Sequence, residues 1–353
     1  MEFLSGLRIA GTFYDDAVRP LLDEHFPGLP HAAALLGPGS EILGFDTPRS
    51  TDHDWGPRLQ VLVGPDDATR HGERITAMLA ERLPAGWHGF PTAFVRSHEP
   101  DMLARQRVEV AELGGWLTAR LGFDPRPGVT VADWLATPTQ RLAEVTGGAV
   151  FHDGIGQLTS ARAALAWYPD DVWRYVLACQ WRRINEEEAF PGRCAEVGDE
   201  LGSAVVSARL ARDLMRLCLL AHRRYPPYSK WLGTAFARLP GLGDLPEHLR
   251  GTLSTQDWPS REDHLVACYR TVALLHNELG LTEPLSTEVR PFHDRPYRVL
   301  AADRFATALL ATVTTPEVRQ LPVFGAVDQF LDNTDALGDS GFTRAATGAV
   351  QPV

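Results

Sequence analysis

The chain has 353 residues, 44% hydrophobic and 22% charged, a globular composition at a length that favours two or three domains over one core. A formal net charge of −11 weighs against a general nucleic-acid binder, whose phosphate contacts need a basic surface, although a local basic patch would still leave tRNA open. No apolar run approaches the about 20 residues of a membrane span. The start, MEFLSGLRIAGTFYDD, does not read as a secretory signal, and Cys179, Cys194, Cys218 and Cys268 lack zinc-ligand spacing. A cytoplasmic protein with reduced thiols is expected.

In chain order, residues 1–26 carry a helical stripe of Leu4, Leu7, Phe13, Val18, Leu21 and Leu22, ended by Pro27, Gly28 and Pro30. The apolar run 32–36 leads into Gly37-Pro38-Gly39-Ser40. Residues 52–63 read as a strand interrupted by Gly56-Pro57, in which Leu59, Val61 and Val63 alternate with Gln60 and Leu62. A helix is expected over 68–82, with strand candidates at 90–96, 107–113 and 150–154. From about residue 160 the pattern turns helical: 170–188, 200–224 with Leu201, Val205, Leu214, Leu217 and Leu220 as its apolar stripe, 228–239, 261–279 and 298–314. The Gly-, Ala- and Thr-rich end reads as a frayed tail. The expected organisation is an α/β domain over 1–160, a helical domain over 161–335 and a flexible tail over 336–353.

The chemistry is concentrated early. A Gly39-Ser40 turn lets backbone approach phosphate oxygens, with the Ser hydroxyl as an added donor. Eleven residues later come Asp52-His53-Asp54. Acids at i and i+2 of a strand share a face and can hold two divalent metals about 3.5–4 Å apart, the geometry for in-line attack on phosphorus. His53 and Trp55, on the other face, read as packing residues. Glu109, between Val108 and Val110, is the candidate third carboxylate, a metal ligand or the base for an acceptor hydroxyl, with Glu112 as its rival. Arg209, Arg212 and Arg216 share a helix face that could meet a triphosphate or nucleic acid, or could be solvated and paired with Asp213 and other acids. Arg182, Arg183 and residues 186–188 read as a helix surface with internal ion pairs, and Asp199-Glu200 as a helix cap.

Gly39-Ser40, Asp52-His53-Asp54-Trp55 and Glu109 together resemble the nucleotidyltransferase superfamily of the DNA polymerase β type. Arg224-Tyr225-Pro226-Pro227-Tyr228-Ser229-Lys230-Trp231 is similar to the Tyr/Ser-Lys stretch in the helical half of antibiotic nucleotidyltransferases, in which a lysine reaches the triphosphate. Trp181-Arg182-Arg183-Ile184, residues 198–203, Arg212-Asp213-Leu214-Met215 and the Tyr-Pro-Pro-Tyr-Ser-Lys-Trp stretch further resemble an uncharacterised bacterial family attached to that superfamily, domain of unknown function 4037.

The resemblance implies a mixed-sheet nucleotidyltransferase domain followed by a helical bundle that closes the active-site cleft. It implies transfer of a nucleoside monophosphate, AMP from ATP in the first instance, to the hydroxyl of a small-molecule acceptor, with release of pyrophosphate. Asp52, Asp54 and Glu109 would hold two Mg²⁺ ions. Gly39 and Ser40 would bind the β- and γ-phosphates, and Arg212, Tyr228 and Lys230 would complete the nucleotide site, with Lys230 on the leaving pyrophosphate. A protein or tRNA acceptor, as in toxin-type relatives, and a non-catalytic nucleotide-binding module are the alternatives. No membrane partner is expected.

Overall fold

The computed structural model describes residues 3–52, 55–94 and 105–351. Its contacts divide the chain into two compact units, Met1–Val129 with Arg141–Ala166, and Thr130–Gln140 with Trp167–Val353.

In the first unit, helix α1 (Gly6–Phe13) passes through a π-helical stretch, Tyr14–Val18, into α2 (Arg19–His25). The widened turn precedes Pro20, which lacks the N–H that a regular α-turn would use. Phe13, Tyr14, Val18 and Leu22 still bury together against Leu59, Val61, Val63, Ile75 and Leu79. Four strands form one mixed sheet: β1 (His31–Leu35), β2 (Leu59–Val63), β3 (Val108–Glu112) and β4 (Ala149–Asp153), in the order β3-β2-β1-β4. β1 is antiparallel to β2 and β4, whereas β2 and β3 are parallel. Helix α3 (Pro65–Arg82) lies in the connection that a parallel pair requires. The alternation of Leu59, Val61 and Val63 with Gln60 and Leu62 is that of a strand buried on both faces.

The register positions the candidate site. Ala34 of β1 faces Gln60 of β2, and Gln60 faces Glu109 of β3. The end of β1 and the starts of β2 and β3 therefore lie at one end of the sheet. The strand expected from residue 52 begins only at Leu59, and Asp52 is the last residue of a 3₁₀ turn, Pro48–Asp52. Gly56, at φ +126°, and the ring of Pro57 interrupt extended pairing before that point.

Helix α4 (Leu113–Leu121) follows β3 directly. The chain continues through α5 (Val131–Ala136), α6 (Thr139–Thr146) and α7 (Gln157–Ala164). In the second unit, α5 is joined by α8 (Asp170–Glu187), α9 (Phe190–Glu196), α10 (Glu200–Ala221), α11 (Ser229–Phe236), α12 (Leu245–Ser254), α13 (Trp258–Glu278), α14 (Asp303–Ala311), the short α15 (Pro316–Arg319) and α16 (Val327–Phe330), and α17 (Ser340–Val350). Trp181 of α8 is fully buried and stacks on Phe305 of α14 at 4.5 Å. Cys179, Cys218 and Cys268 are buried free thiols on α8, α10 and α13.

Three local expectations change. Leu201 and Val205 are 77% and 55% exposed. The inward face of the first half of α10 is instead Ser203 and Ser207, small enough for the buried Arg261 guanidinium to donate to Ser203 Oγ at 2.9 Å. Glu188 is not a surface residue: its carboxylate accepts the backbone N–H groups of Leu300, Ala301 and Ala302 at 2.7–3.1 Å, and burial pushes its pKa up to about 7. The segment expected as a flexible tail carries α17, which packs on α5 and ends in the fully buried Gln351, whose amide donates to Tyr175 Oη at 2.9 Å.

Candidate functional site

The turn after β1 is built on a buried ion pair. Arg58 donates from Nε and Nη2 to Glu41 Oε1, at 2.9 and 2.7 Å, and from Nη2 to the Pro38 carbonyl at 2.6 Å. Glu41 is only 2% exposed. This fork fixes the path of Pro38-Gly39-Ser40. Gly39 has φ +150°, and a Cβ there would stand 2.4 Å from Arg58 Nη2 and 2.7 Å from Glu41 Oε2. Only glycine fits both the backbone angle and the space. Ser40 Oγ donates to Ser50 Oγ at 3.2 Å, tying the turn to the segment that leads to Asp52.

A row of polar groups crosses the sheet beside this turn. The Gln60 amide accepts from Leu36 N–H at 3.0 Å and donates to the Leu36 carbonyl at 3.3 Å, clamping the residue before the turn. Its register partner Glu109 is 38% exposed at the side chain. The Glu109 carboxylate accepts from Trp116 Nε1 at 3.3 Å and stands 3.9 Å from Arg120 Nη2. The Arg120 guanidinium closes the row, because a Cβ built on Gly37 would lie 3.6 Å from its Cζ. Glu109, Glu112, Trp116, Arg120 and Arg141 line an open pocket of about 360 Å³. Arg141 pairs with Glu144 at 2.9 Å, and the Glu144 carbonyl accepts Gly37 N–H.

Of the two rival acids, Glu112 is already committed. It caps α4, accepting from Gly114 N–H at 2.7 Å and from Gly115 N–H, and stands 3.7 Å from Arg126. Both acids line the pocket, but Glu109 keeps longer contacts, 3.3 Å to Trp116 and 3.9 Å to Arg120, which leaves its carboxylate the freer of the two.

The side chain of Asp52 and the whole of Asp54 lie outside the described residues. Trp55, which follows them, is buried as expected. It donates from Nε1 to Asp46 Oδ2 at 3.0 Å, and its carbonyl accepts from Arg107 Nη1 at 2.6 Å, just ahead of β3. Among the described residues no three carboxylate, imidazole or thiol side chains converge as a metal cluster.

The other expected nucleotide-site residues lie in the second unit. Arg212 is held at 2.5 Å by Asp332 and at 3.7 Å by Asp213, Arg209 at 2.6 Å by Glu187, and Arg216 at 3.0 Å by Asp328. The arginines are paired with acids, as one reading of the sequence had it, but the face is not a solvated one, because the Asp213 and Asp328 side chains are 2% and 5% exposed. Tyr228 is the N-cap residue of α11, its N–H donating to Gln140 Oε1 at 3.1 Å. Lys230 is exposed, with Nζ 5.1 Å from the Trp231 ring centre.

Sequence reasoning missed Glu41, Arg58, Gln60, Trp116 and Arg120. The available signal was one of position: Glu41 directly follows the Gly-Ser turn, Arg58 directly precedes the apolar strand, and Gln60 interrupts that strand's apolar run.

Residues 134–232 match the model of a domain of unknown function, DUF4037. That span contains every stretch of the second half that carried the resemblance to this family. No curated protein matches the chain. Among the described residues no helix is long and apolar enough to cross a membrane.

Proposed function

We propose that the chain is a Mg²⁺-dependent nucleotidyltransferase that moves a nucleoside monophosphate, AMP from ATP, to the hydroxyl of a small-molecule acceptor and releases pyrophosphate. One observation carries this reading. The strand register gathers the Gly39-Ser40 turn, the start of β2 and Glu109 at one end of a mixed sheet, although they are far apart in sequence. A glycine turn held open at a strand end suits phosphate oxygens, and guanidinium groups such as Arg120 suit them as well.

In this reading Asp52 and Asp54 hold two Mg²⁺ ions, with Glu109 as third ligand or as base for the acceptor hydroxyl. The metals would supply charge neutralisation and alignment for in-line displacement. Gly39 and Ser40 bind the β- and γ-phosphates. For Tyr228 and Lys230 a part in nucleotide binding rests on the sequence resemblance alone. The ion pairs around Arg212 favour a packing role for that residue over phosphate binding.

The test is a mass-spectrometric screen of purified protein with ATP, GTP, CTP or UTP and Mg²⁺, against metabolite extract and tRNA. A nucleotidylated small molecule with pyrophosphate release is expected, slowed at least about 100-fold in Glu109→Gln. A nucleotidylated tRNA or protein would move the acceptor class. Metal-dependent nucleotide binding without any product would return the chain to a non-catalytic module.

A further inference from the structure

Two imidazoles meet in the second unit, outside everything the proposed reaction uses. His248 lies on α12 and His264 on α13, helices packed against each other as a hairpin. Their Nδ1 atoms are 3.2 Å apart, their ring centres 5.5 Å apart, and both side chains are partly open to solvent.

The helix surface is shaped for this approach. Gly251 sits in the interior of α12, one turn after His248, where glycine is a weak helix former. A Cβ at that position would lie 2.4 Å from Cε1 and Nε2 of His264 and 2.5 Å from its Nδ1. The His264 ring therefore occupies the space that any other residue at 251 would fill.

We propose that His248 and His264 form a two-imidazole binding site for a borderline divalent transition-metal ion of the Zn²⁺ class. Imidazole nitrogen is a favoured ligand for such ions. Two Zn–N bonds of about 2.0–2.1 Å at a tetrahedral angle leave the nitrogens about 3.3 Å apart, close to the separation found here. Each neutral ring must present its Nδ1 lone pair to the metal, so a ring that carries its proton on Nδ1 shifts that proton to Nε2 when the ion binds. Among the described residues no third histidine, cysteine, aspartate or glutamate completes the set, so water takes the remaining positions. The site is distinct in chemistry from the oxygen-ligand Mg²⁺ site proposed for the first unit, and it stands or falls without it.

Calorimetric titration of ZnCl₂ into chelator-treated full-length protein should show a saturable site. His248→Gln and His264→Gln should each weaken it tenfold or more, with helix content kept, whereas Asp54→Asn should leave it unchanged. Because either histidine variant could disturb the hairpin, wild-type protein loaded with one equivalent of Cu²⁺ gives a readout that needs no substitution. Its electron paramagnetic resonance should carry hyperfine coupling to two imidazole nitrogens. Absence of saturable Zn²⁺ binding, unchanged affinity in both histidine variants, or coupling to fewer than two nitrogens would each overturn the site and leave a proton-sharing pair only.

Discussion

Two buried carboxylates, Glu41 in the sheet unit and Glu188 in the helical unit, are held in opposite ways. In the sheet unit, Glu41 is met by the Arg58 guanidinium, whose Nη2 also donates to the Pro38 carbonyl in the turn. In the helical unit, Glu188 is held by three backbone N–H groups at the start of α14, and burial lifts its pKa to about 7. The arginines differ in parallel. Arg120 stands 3.9 Å from Glu109 beside an open pocket, while Arg212 is locked to Asp332 at 2.5 Å. Arg120 keeps one long contact to a carboxylate, whereas Arg212 is matched by two. Arginine spacing along a helix does not separate these two cases. How completely each guanidinium is already matched does.

The largest expected effect tests the first half of that contrast. Glu41→Gln leaves the Arg58 guanidinium uncompensated at a buried site and should cost about 3–5 kcal/mol of stability, measured by urea denaturation. A loss under about 1 kcal/mol would mean that the pair is not what holds the turn.

Glu188 gives the matching test in the helical unit. Its folded pKa lies above the ordinary carboxyl value, so its contribution to stability is fully present below about pH 4.5 and is lost as pH rises through about 7. Linkage puts the change at about 3 kcal/mol. Denaturation series across pH 4–8 should show this fall in the wild type and a flatter profile in Glu188→Gln. Parallel profiles would assign the fall to other groups.

A smaller effect separates the two arginines. If Arg120 serves the pocket, Arg120→Ala should weaken ATP binding about tenfold, the value of one charge-assisted contact, with little change in stability. Arg212→Ala should leave ATP affinity unchanged and cost at most about 1 kcal/mol, because its ion pairs are partly exposed. The reverse pattern, read by calorimetry and denaturation of both variants, would restore Arg212 to the nucleotide site.

Much of the first unit was legible because its signals are local. The alternation through Leu59, Val61 and Val63 marked β2 and Val108-Glu109-Val110 marked β3, while the sequence showed β1 only as an apolar run leading into the Gly37-Pro38-Gly39-Ser40 turn. What escaped depends on partners distant in the chain. Glu41 and Arg58 meet only because β1 and β2 pair in one register. Arg120 reaches Glu109 only because α4 turns back on β3. The strand reading of Asp52 failed at Gly56-Pro57, where backbone constraint outweighs the apolar pattern that follows. In the helical unit, Leu201 and Val205 fitted an apolar stripe, but the inward face went to Ser203 and Ser207, which leave room for a buried arginine. The last segment read as tail by composition, yet its small residues allow close packing and Gln351 finds buried partners.

The most direct measurement is calorimetric titration of ATP into the wild type, Asp54→Asn and Glu109→Gln, each with Mg²⁺ and with excess chelator. If the end of the sheet where β1 stops and β2 and β3 start is a metal-dependent nucleotide site, Mg²⁺ should strengthen wild-type binding at least about tenfold. That gain should disappear in Asp54→Asn, while Glu109→Gln should bind ATP nearly as well as the wild type and fail in turnover. Equal ATP affinity with and without Mg²⁺ in all three proteins would contradict the assignment.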